Sequence, residues 1–466
     1  MTEGKLPSSW KEAEVVPIFK KGKKSSAGNY RPVSLTSVIC KVFEKFIRDA
    51  LDNHFTNNNL LSPDQFGFCS GRSCVTQLLV TINEWFTYLD QKIPVDAAYL
   101  DFRKAFDSVP HKRLLSKLHG YGVRGTVLRW VEDFLSNRNQ YVNVNGKTSE
   151  KVPVTSGVPQ GSVLGPTLFI YFINDLPDAA ESFLKIFADD TKAYTKIETK
   201  EDQLRLQRTI DNFVKWTDTW LVKFNSEKCK IMHLGKDNPK YEYSIIENGI
   251  KTKLTETTCE KDLGVMIDPN LDFQEHMTGA VKKARRISNM LTRHISFKNK
   301  NIMLPLYTAL VRPIIEYGNT VWSPFLSKDI LRIEHVQQSF TKQISGMRKL
   351  NYEDRLSRLR LPSLAYRRLR GDMIEVYKIL NNLYDPKTTH SLLTLHPNLK
   401  NTRTNNFKLT KDGVNTRKYL KFFTNRIINA WNSLHADIVT SSTLNQFKNK
   451  IDRHYSHLQF STKISY

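Results

Sequence analysis

Phe183-Leu184-Lys185-Ile186-Phe187-Ala188-Asp189-Asp190-Thr191-Lys192-Ala193-Tyr194 is the stretch that decides the fold. Its flanks read as two strands, and the acidic pair between them as the tip of a hairpin. Adjacent carboxylates at a strand tip repel strongly unless a cation lies between them, and hard divalent cations prefer oxygen ligands. The plain alternative is a pair of solvated turn aspartates, because Asp favours turns. Upstream, Val95-Asp96-Ala97-Ala98-Tyr99-Leu100 reads as a strand ending on Asp101. Two cations ~3.5–4 Å apart can clamp the attacking and leaving oxygens of an in-line phosphoryl displacement, and carboxylates from adjacent strands can bridge both. Asp101, Asp189 and Asp190 are therefore the candidate metal-binding acids.

Outward from the hairpin, Gly157-Val158-Pro159-Gln160-Gly161-Ser162-Val163-Leu164-Gly165-Pro166 leads into a segment, Leu164 to Leu176, that is apolar nearly all round and reads as a buried helix. Glycines let a backbone approach a ligand closely, and the Gln160 amide offers both donors and an acceptor there. Gln140 to Asn145 and Glu150 to Thr155 read as a hairpin turning at Asn145-Gly146. Val127, Trp130, Val131, Phe134 and Leu135 mark an amphipathic helix. Nearer the start, the extended stretch Val15-Val16-Pro17-Ile18-Phe19 runs into a loop with Lys20, Lys21, Lys23 and Lys24, and Arg31 follows in Asn29-Tyr30-Arg31-Pro32. Ammonium and guanidinium groups can neutralise a triphosphate; a solvated charge run or a nuclear-import patch has the same composition. Val38 to Leu51 reads as a helix with Val38, Val42, Phe46 and Ala50 on one face and Phe43 and Ile47 beside them.

The 466 residues carry 70 Lys+Arg against 46 Asp+Glu, a net charge of +24. That excess points to a polyanionic partner, nucleic acid before membrane. The longest apolar run, Leu168 to Ile173, is far short of the ~18 residues of a membrane span. Met1-Thr2-Glu3-Gly4-Lys5 has no apolar core for a signal peptide. Cys40, Cys69, Cys74, Cys229 and Cys259 form an odd set without a CxxC pair, so reduced thiols are expected rather than a disulfide scaffold or zinc site. Beyond residue 270 the pattern is mainly helical and basic: Val281 to Lys300 holds seven Lys/Arg and no acid, and Arg348 to Arg370 holds eight against two. Asp385 to Arg417 is polar and broken by Pro and Gly, a linker or long loop; Phe422, Phe423, Ile427, Trp431 and Leu434 mark a last helical segment.

Taken in order, these elements resemble a known family, the reverse transcriptases of non-LTR retrotransposons, most like the jockey type. The matching blocks are Val15 to Gly22 with Asn29-Tyr30-Arg31-Pro32-Val33-Ser34-Leu35; Gln65-Phe66-Gly67-Phe68 with Gly71-Arg72-Ser73; Leu100-Asp101-Phe102-Arg103-Lys104-Ala105-Phe106-Asp107-Ser108-Val109; Gly157 to Pro166; Phe187-Ala188-Asp189-Asp190; Asn225-Ser226-Glu227-Lys228-Cys229; and Lys261-Asp262-Leu263-Gly264-Val265. A weaker likeness continues through Val311-Arg312-Pro313, Glu316-Tyr317 and Trp431-Asn432.

The resemblance implies an α+β right-hand polymerase with fingers, a palm built on an antiparallel sheet, and a thumb, followed by a helical basic C-terminal region. The implied division is 1–270 for fingers and palm, 271–384 for thumb and connection, and 385–466 for a linker and helical region. It implies RNA-directed DNA synthesis: deoxynucleotides are added to a DNA 3′-OH on an RNA template, with two Mg²⁺ ions (or Mn²⁺). Carried over residue by residue, Asp101, Asp189, Asp190 and the Phe102 carbonyl would hold the ions. Lys228 would stand near the leaving pyrophosphate. Lys20, Lys21 and Arg31 would bind the triphosphate, Gln160 would contact the nucleotide, and Phe106 would crowd a ribose 2′-OH. Leu263, Gly264 and Val265 would grip the primer end. Cys69 stands where the family often has a basic residue, and Phe187 where many relatives have Tyr. The blocks begin at Val15, so a nicking endonuclease is expected from elsewhere, and the protein is expected inside the cell, at target DNA in the nucleus. Two other readings share these residues: a catalytically idle nucleic-acid-binding remnant, and an RNA-templated RNA polymerase, which would not need a bulky residue at Phe106.

Overall fold

The computed structural model describes residues 4–397, 407–411 and 413–464. They form two compact units. The first takes the chain up to Cys69, then Asp96–Ile231 and Pro239–Glu256; the second takes Ser70–Val95, Met232–Asn238 and the chain from Thr257 on.

The strands of the first unit are, in order, β1 (Glu12–Phe19), β2 (Tyr30–Leu35), β3 (Val95–Leu100), β4 (Arg138–Val144), β5 (Lys147–Thr148), β6 (Val152–Val154), β7 (Phe183–Phe187), β8 (Asp190–Lys196), β9 (Lys230–Leu234), β10 (Ser244–Glu247), β11 (Ile250–Lys253) and β12 (Thr255–Glu256). The unit boundary runs through β3 and β9. One sheet has the order β2-β1-β4-β5, with β6 also paired to β4. Asn145 and Gly146 both adopt positive φ at the β4–β5 turn (53° and 80°), the geometry that Asn-Gly supplies at least cost. The central sheet has the order β12-β9-β3-β8-β7. It places β3, which ends at Asp101, directly beside β8, which leaves the turn carrying Asp189.

Three helices matter for this unit: α1 (Val38–Asn57), α2 (Leu164–Ile173) and α3 (Lys200–Trp220). Every α2 residue except Pro166 is buried, as expected of a segment apolar all round. Leu100, Phe102, Ile186 and Ala188 share one core with Leu164, Phe169, Phe172 and Trp216. Helix α1 differs from the sequence expectation. The face marked by Val38, Val42 and Phe46 is exposed (76%, 53% and 59%), and the covered stripe is Cys40, Glu44, Ile47, Leu51 and Phe55. Periodicity sorts residues into faces, but a charged member hid the buried one. Glu44 is fully buried, and its Oε2 accepts from the N–H groups of Val163 (2.7 Å) and Leu164 (2.9 Å). A carboxylate at the start of α2 satisfies donors with no intrahelical partner and complements the helix dipole. Burial and the adjacent Glu44 carboxylate push the Cys40 thiol up to about 12. All five cysteines are free thiols, as expected.

The second unit is mainly helical. It holds the hairpin β13 (Glu260–Asp262) and β14 (Val265–Ile267), then α4 (Gln274–His294), α5 (Ser327–Thr341), α6 (Leu364–Leu380) and α7 (Leu444–His454), together with the earlier Cys74–Asp90 helix. Buried Glu334 on α5 accepts from the first N–H groups of α6, Leu364 and Ala365, both at 3.1 Å. Arg426 and Asp372 form a buried two-point pair at 2.8 and 2.9 Å. The expected linker is packed where it is described. Asp385 ion-pairs with Arg72, Asp90 accepts from the Asn415 and Thr416 N–H groups, and Thr389, Leu392 and Leu409 are buried. Residues 398–406 and 412 lie outside the described set. Among the described residues no helix is long and apolar enough to cross a membrane.

His276 gives this unit an acid-sensitive point. Its ring lies against Trp322 (4.9 Å between centroids), and its Nδ1 accepts from the Met266 N–H of β14 (3.2 Å). Burial pushes its pKa down to about 4 from 6.5. Between those values the unfolded chain takes up a proton that the folded one refuses. The folded state is therefore at full strength above pH 6.5 and loses up to about 3 kcal/mol as pH falls toward 4. Melting curves across that range should show a smaller drop for His276→Asn, which keeps the acceptor but cannot charge; equal drops would remove His276 as the cause.

Candidate active site

The site is built on the end of β3 and the β7–β8 turn. β7 and β8 pair antiparallel with Phe187 opposite Asp190, which leaves Ala188 and Asp189 as a two-residue turn. Ala188 takes φ 56°, a conformation that costs a residue with a Cβ, so neighbouring contacts must hold it. Gln65 provides them. Its buried side-chain Oε1 accepts from the Ala188 N–H (3.0 Å) and the Gly67 N–H (2.8 Å), while the backbone at 64–66 exchanges hydrogen bonds with Ile186 (both 2.8 Å). A Cβ at Gly67 would lie 2.4 Å from the Ala188 nitrogen, so only glycine allows this approach. The Gln65-Phe66-Gly67 block thus acts as a brace under the acidic turn, a role the sequence reading did not assign. A glutamine two residues before a glycine was its only local signal.

Asp101 leaves β3 with its carbonyl accepting from the Asn225 N–H (2.7 Å), and Arg103 N–H donates to the Lys223 carbonyl (2.8 Å). These two bonds flank the Phe102–Phe224 bridge and leave the Phe102 carbonyl out of the pairing. Asp189 is half-buried, and its carboxyl titrates above the usual range. Loss of hydration is the main cause, the neighbouring Asp101 charge adds to it, and Arg31 and Lys20 pull the other way. The charges of Asp101, Arg31 and Lys20 therefore all reach Asp189. Lys228 Nζ stands 3.2 Å from Asp101 Oδ2, with both side chains substantially exposed. Such a pair adds little stability, which leaves the ammonium free to move toward another anion.

Asp190 is placed differently from its neighbour. It is the first residue of β8 and exposed, whereas Asp189 sits in the turn. Among the described residues no group of three or more His, Cys, Asp or Glu is arranged to hold a metal ion. The strand order brings Asp101, at the end of β3, beside the turn and strand start that carry Asp189 and Asp190. The donors at hand, two carboxylates and a nearby backbone carbonyl, are hard oxygens, and their mutual repulsion is what a divalent cation would relieve.

Lys20, Lys21 and Arg31 are exposed on the β1–β2 hairpin, where Ile18 pairs with Arg31 and Lys20 N–H donates to the Asn29 carbonyl (2.8 Å). Lys20 and Arg31 act on Asp189; no contact ties Lys21 to it. Phe106 stacks on Phe169 (4.4 Å, 19°) at the edge of the core, half-buried. Gln160 Nε2 donates to Asp107 Oδ1 (2.8 Å). Leu263, Gly264 and Val265 belong to the second unit, at the β13–β14 turn. Leu263 and Gly264 have φ 44° and 89°, and Tyr317 Oη donates to the Leu263 carbonyl (2.8 Å). Arg72, in the Gly71-Arg72-Ser73 block, is held by Asp385 at 2.8 Å.

A strand-end aspartate thus stands beside an acidic hairpin turn. The sequence profile described as "Reverse transcriptase (RNA-dependent DNA polymerase)" matches residues 18–267, more than half of the chain, and the chain belongs to that family. It is similar to the RNA-directed DNA polymerase from mobile element jockey of Drosophila melanogaster, with 29% identity over 74% of this chain and 38% of the relative. It is equally similar to the probable RNA-directed DNA polymerase from transposon BS of the same fly, with 29% identity over 73% of this chain and 39% of that one. The expected kinship with non-LTR elements of jockey type is borne out. The chain spans under two-fifths of the length of these relatives. A solved structure of apo telomerase from Candida tropicalis aligns with TM-score 0.42 and 11% identity over 76% of this chain and 62% of that one. Reverse transcriptases generally use divalent metal ions, and the oxygen donors of Asp101 and Asp189 suit one.

Proposed function

We propose that the chain is the polymerase portion of a retrotransposon protein, adding deoxynucleotides to a DNA 3′-OH on an RNA template. The observation that supports this best is the strand order, which sets β3, ending at Asp101, beside β8, which leaves the turn carrying Asp189. In this reading residues 1–270 are fingers and palm, 271–384 the thumb and connection, and 385–466 a C-terminal region. Two Mg²⁺ ions, or Mn²⁺, would supply charge stabilisation at the attacking and leaving oxygens when bound. Asp101, Asp189, Asp190 and the Phe102 carbonyl would hold them.

The chain's own groups do the rest. Lys20, Lys21 and Arg31 bind the triphosphate, and Lys228 moves from Asp101 to the departing pyrophosphate. Phe106 closes the sugar side of the pocket against Phe169, and Gln160 contacts the nucleotide. Phosphoryl transfer of this kind is mostly positioning and charge stabilisation. Leu263, Gly264 and Val265 form the primer grip. On α4, Lys282, Lys283, Arg285, Arg286 and Arg293 are all exposed, a sequence-independent surface for a phosphate backbone. The partners are then an RNA template, a DNA primer at the target and dNTPs, with the nick made by an endonuclease and the work done at nuclear DNA.

Primer extension by the purified chain, on RNA and DNA templates side by side with added Mg²⁺, tests this. Extension on RNA that stops on chelation is expected. Salt-sensitive RNA binding with no extension would identify an idle nucleic-acid-binding remnant instead.

A further inference from the structure

The segment after Asp101 and the loop carrying Gln160 are fastened together at five points in the first unit. Val158 N–H donates to the Phe106 carbonyl (2.8 Å) and Gly157 N–H to the Val109 carbonyl (2.8 Å). Ser156 Oγ donates to the Asp107 carbonyl (3.1 Å), and the His111 ring bonds the Gly157 carbonyl through Nε2 (2.8 Å). The fifth contact is the only one between two side chains: Gln160 Nε2 to Asp107 Oδ1. The approach is so close that a Cβ on Gly157 would lie 2.7 Å from the Asp107 backbone. The Gln160 backbone is fixed as well, because Ser34 N–H, on the strand bearing Arg31, donates to its carbonyl (2.7 Å).

We propose that Asp107 is a positioning residue for nucleotide binding: its carboxylate locks the orientation of the Gln160 amide, so that Gln160 presents its oxygen as a hydrogen-bond acceptor to the sugar of the incoming nucleotide. This rests on the polymerase reading above and adds how the pocket presents its acceptor. A glutamine amide can turn over at little cost, exchanging oxygen for nitrogen. An ionised carboxylate is an acceptor only, so it can hold just the –NH₂ end, which turns Oε1 outward. The ligand class this suits is a sugar bearing a hydroxyl donor, as a deoxynucleoside triphosphate does at its 3′ position. Asparagine at 107 would match the shape of aspartate and, by donating as well as accepting, would allow both amide orientations.

The test is steady-state nucleotide addition by the full chain with Asp107→Asn, Gln160→Met and the double variant, alongside melting temperatures. Asp107→Asn should raise the KM for dNTP about five- to tenfold with kcat little changed, the loss expected for one misaligned hydrogen bond. In the Gln160→Met background, where no amide is left to orient, Asp107→Asn should add nothing. Equal effects of Asp107→Asn in both backgrounds would overturn the proposal, and so would a fall in kcat with KM unchanged. Should Asp107→Asn fail to fold, Gln160→Met decides alone: an unchanged KM for dNTP would mean the amide reads no sugar. A wild-type chain that adds no nucleotide at all would instead sink the polymerase reading itself.

Discussion

Asp189→Asn is expected to lower nucleotide addition by about 10³-fold or more, a loss of about 4 kcal/mol of transition-state stabilisation. The site explains why so small a change has so large an effect. Asp189 is held in a turn with a positive-φ neighbour, braced by Gln65, and its carboxyl is raised by burial and by Asp101. A charge kept in such surroundings is costly unless a cation uses it, and asparagine is too weak a donor to a hard cation to replace it. The fold should survive, because the turn hangs on backbone N–H groups that the substitution leaves alone. The check is single-turnover primer extension on an RNA template, with melting temperature as control for folding. Wild-type rates from the variant would remove Asp189 from the catalytic centre. Asp190→Asn makes an informative partner, since Asp190 is the exposed first residue of its strand whereas Asp189 sits half-buried in the turn.

The second large effect concerns the sugar. Phe106→Val should raise incorporation of ribonucleotides relative to deoxynucleotides on the order of 10- to 100-fold, the range a pocket wall of a few carbon atoms can discriminate. Phe106 is suited to the task because it is not free to swing. Its ring is stacked on Phe169 of a fully packed helix, and its carbonyl is bonded by Val158. A rigid ring excludes a hydroxyl, where a loose one would step aside. Single-nucleotide insertion with matched dNTP and rNTP measures the ratio. An unchanged ratio would mean that Phe106 is only core, and an enzyme already indifferent to the sugar would fit the RNA-polymerase alternative.

Much of this was legible in the sequence because it rests on local chemistry. The hairpin around Asp189, the strand ending at Asp101, the buried α2 and the Asn145-Gly146 turn follow from alternation, apolar runs and turn residues, which act over a few positions. What the sequence hid depends on what lies across the fold. Helix α1 turns the face marked by Val38, Val42 and Phe46 outward, and Glu44 on its covered face is consumed by the start of α2. Gln65 and Asp107 looked like ordinary polar residues, since their partners are 123 and 53 positions away. Asp385 sat in a stretch whose Pro and Gly content reads as a linker, yet its carboxylate holds Arg72.

That last pair bears on how the protein is made. Arg72 and Asp385 are 313 positions apart, and both belong to the second unit. The residues of the first unit end at Glu256, so all of them are made while the ribosome is still at work. The helix that begins at Cys74 emerges early, but the Asp385 carboxylate that holds its flanking Arg72 is made only after most of the remaining message has been translated. Long-range closures of this kind are slow and leave sticky intermediates, so the yield of active protein should depend on how fast translation reaches the far end.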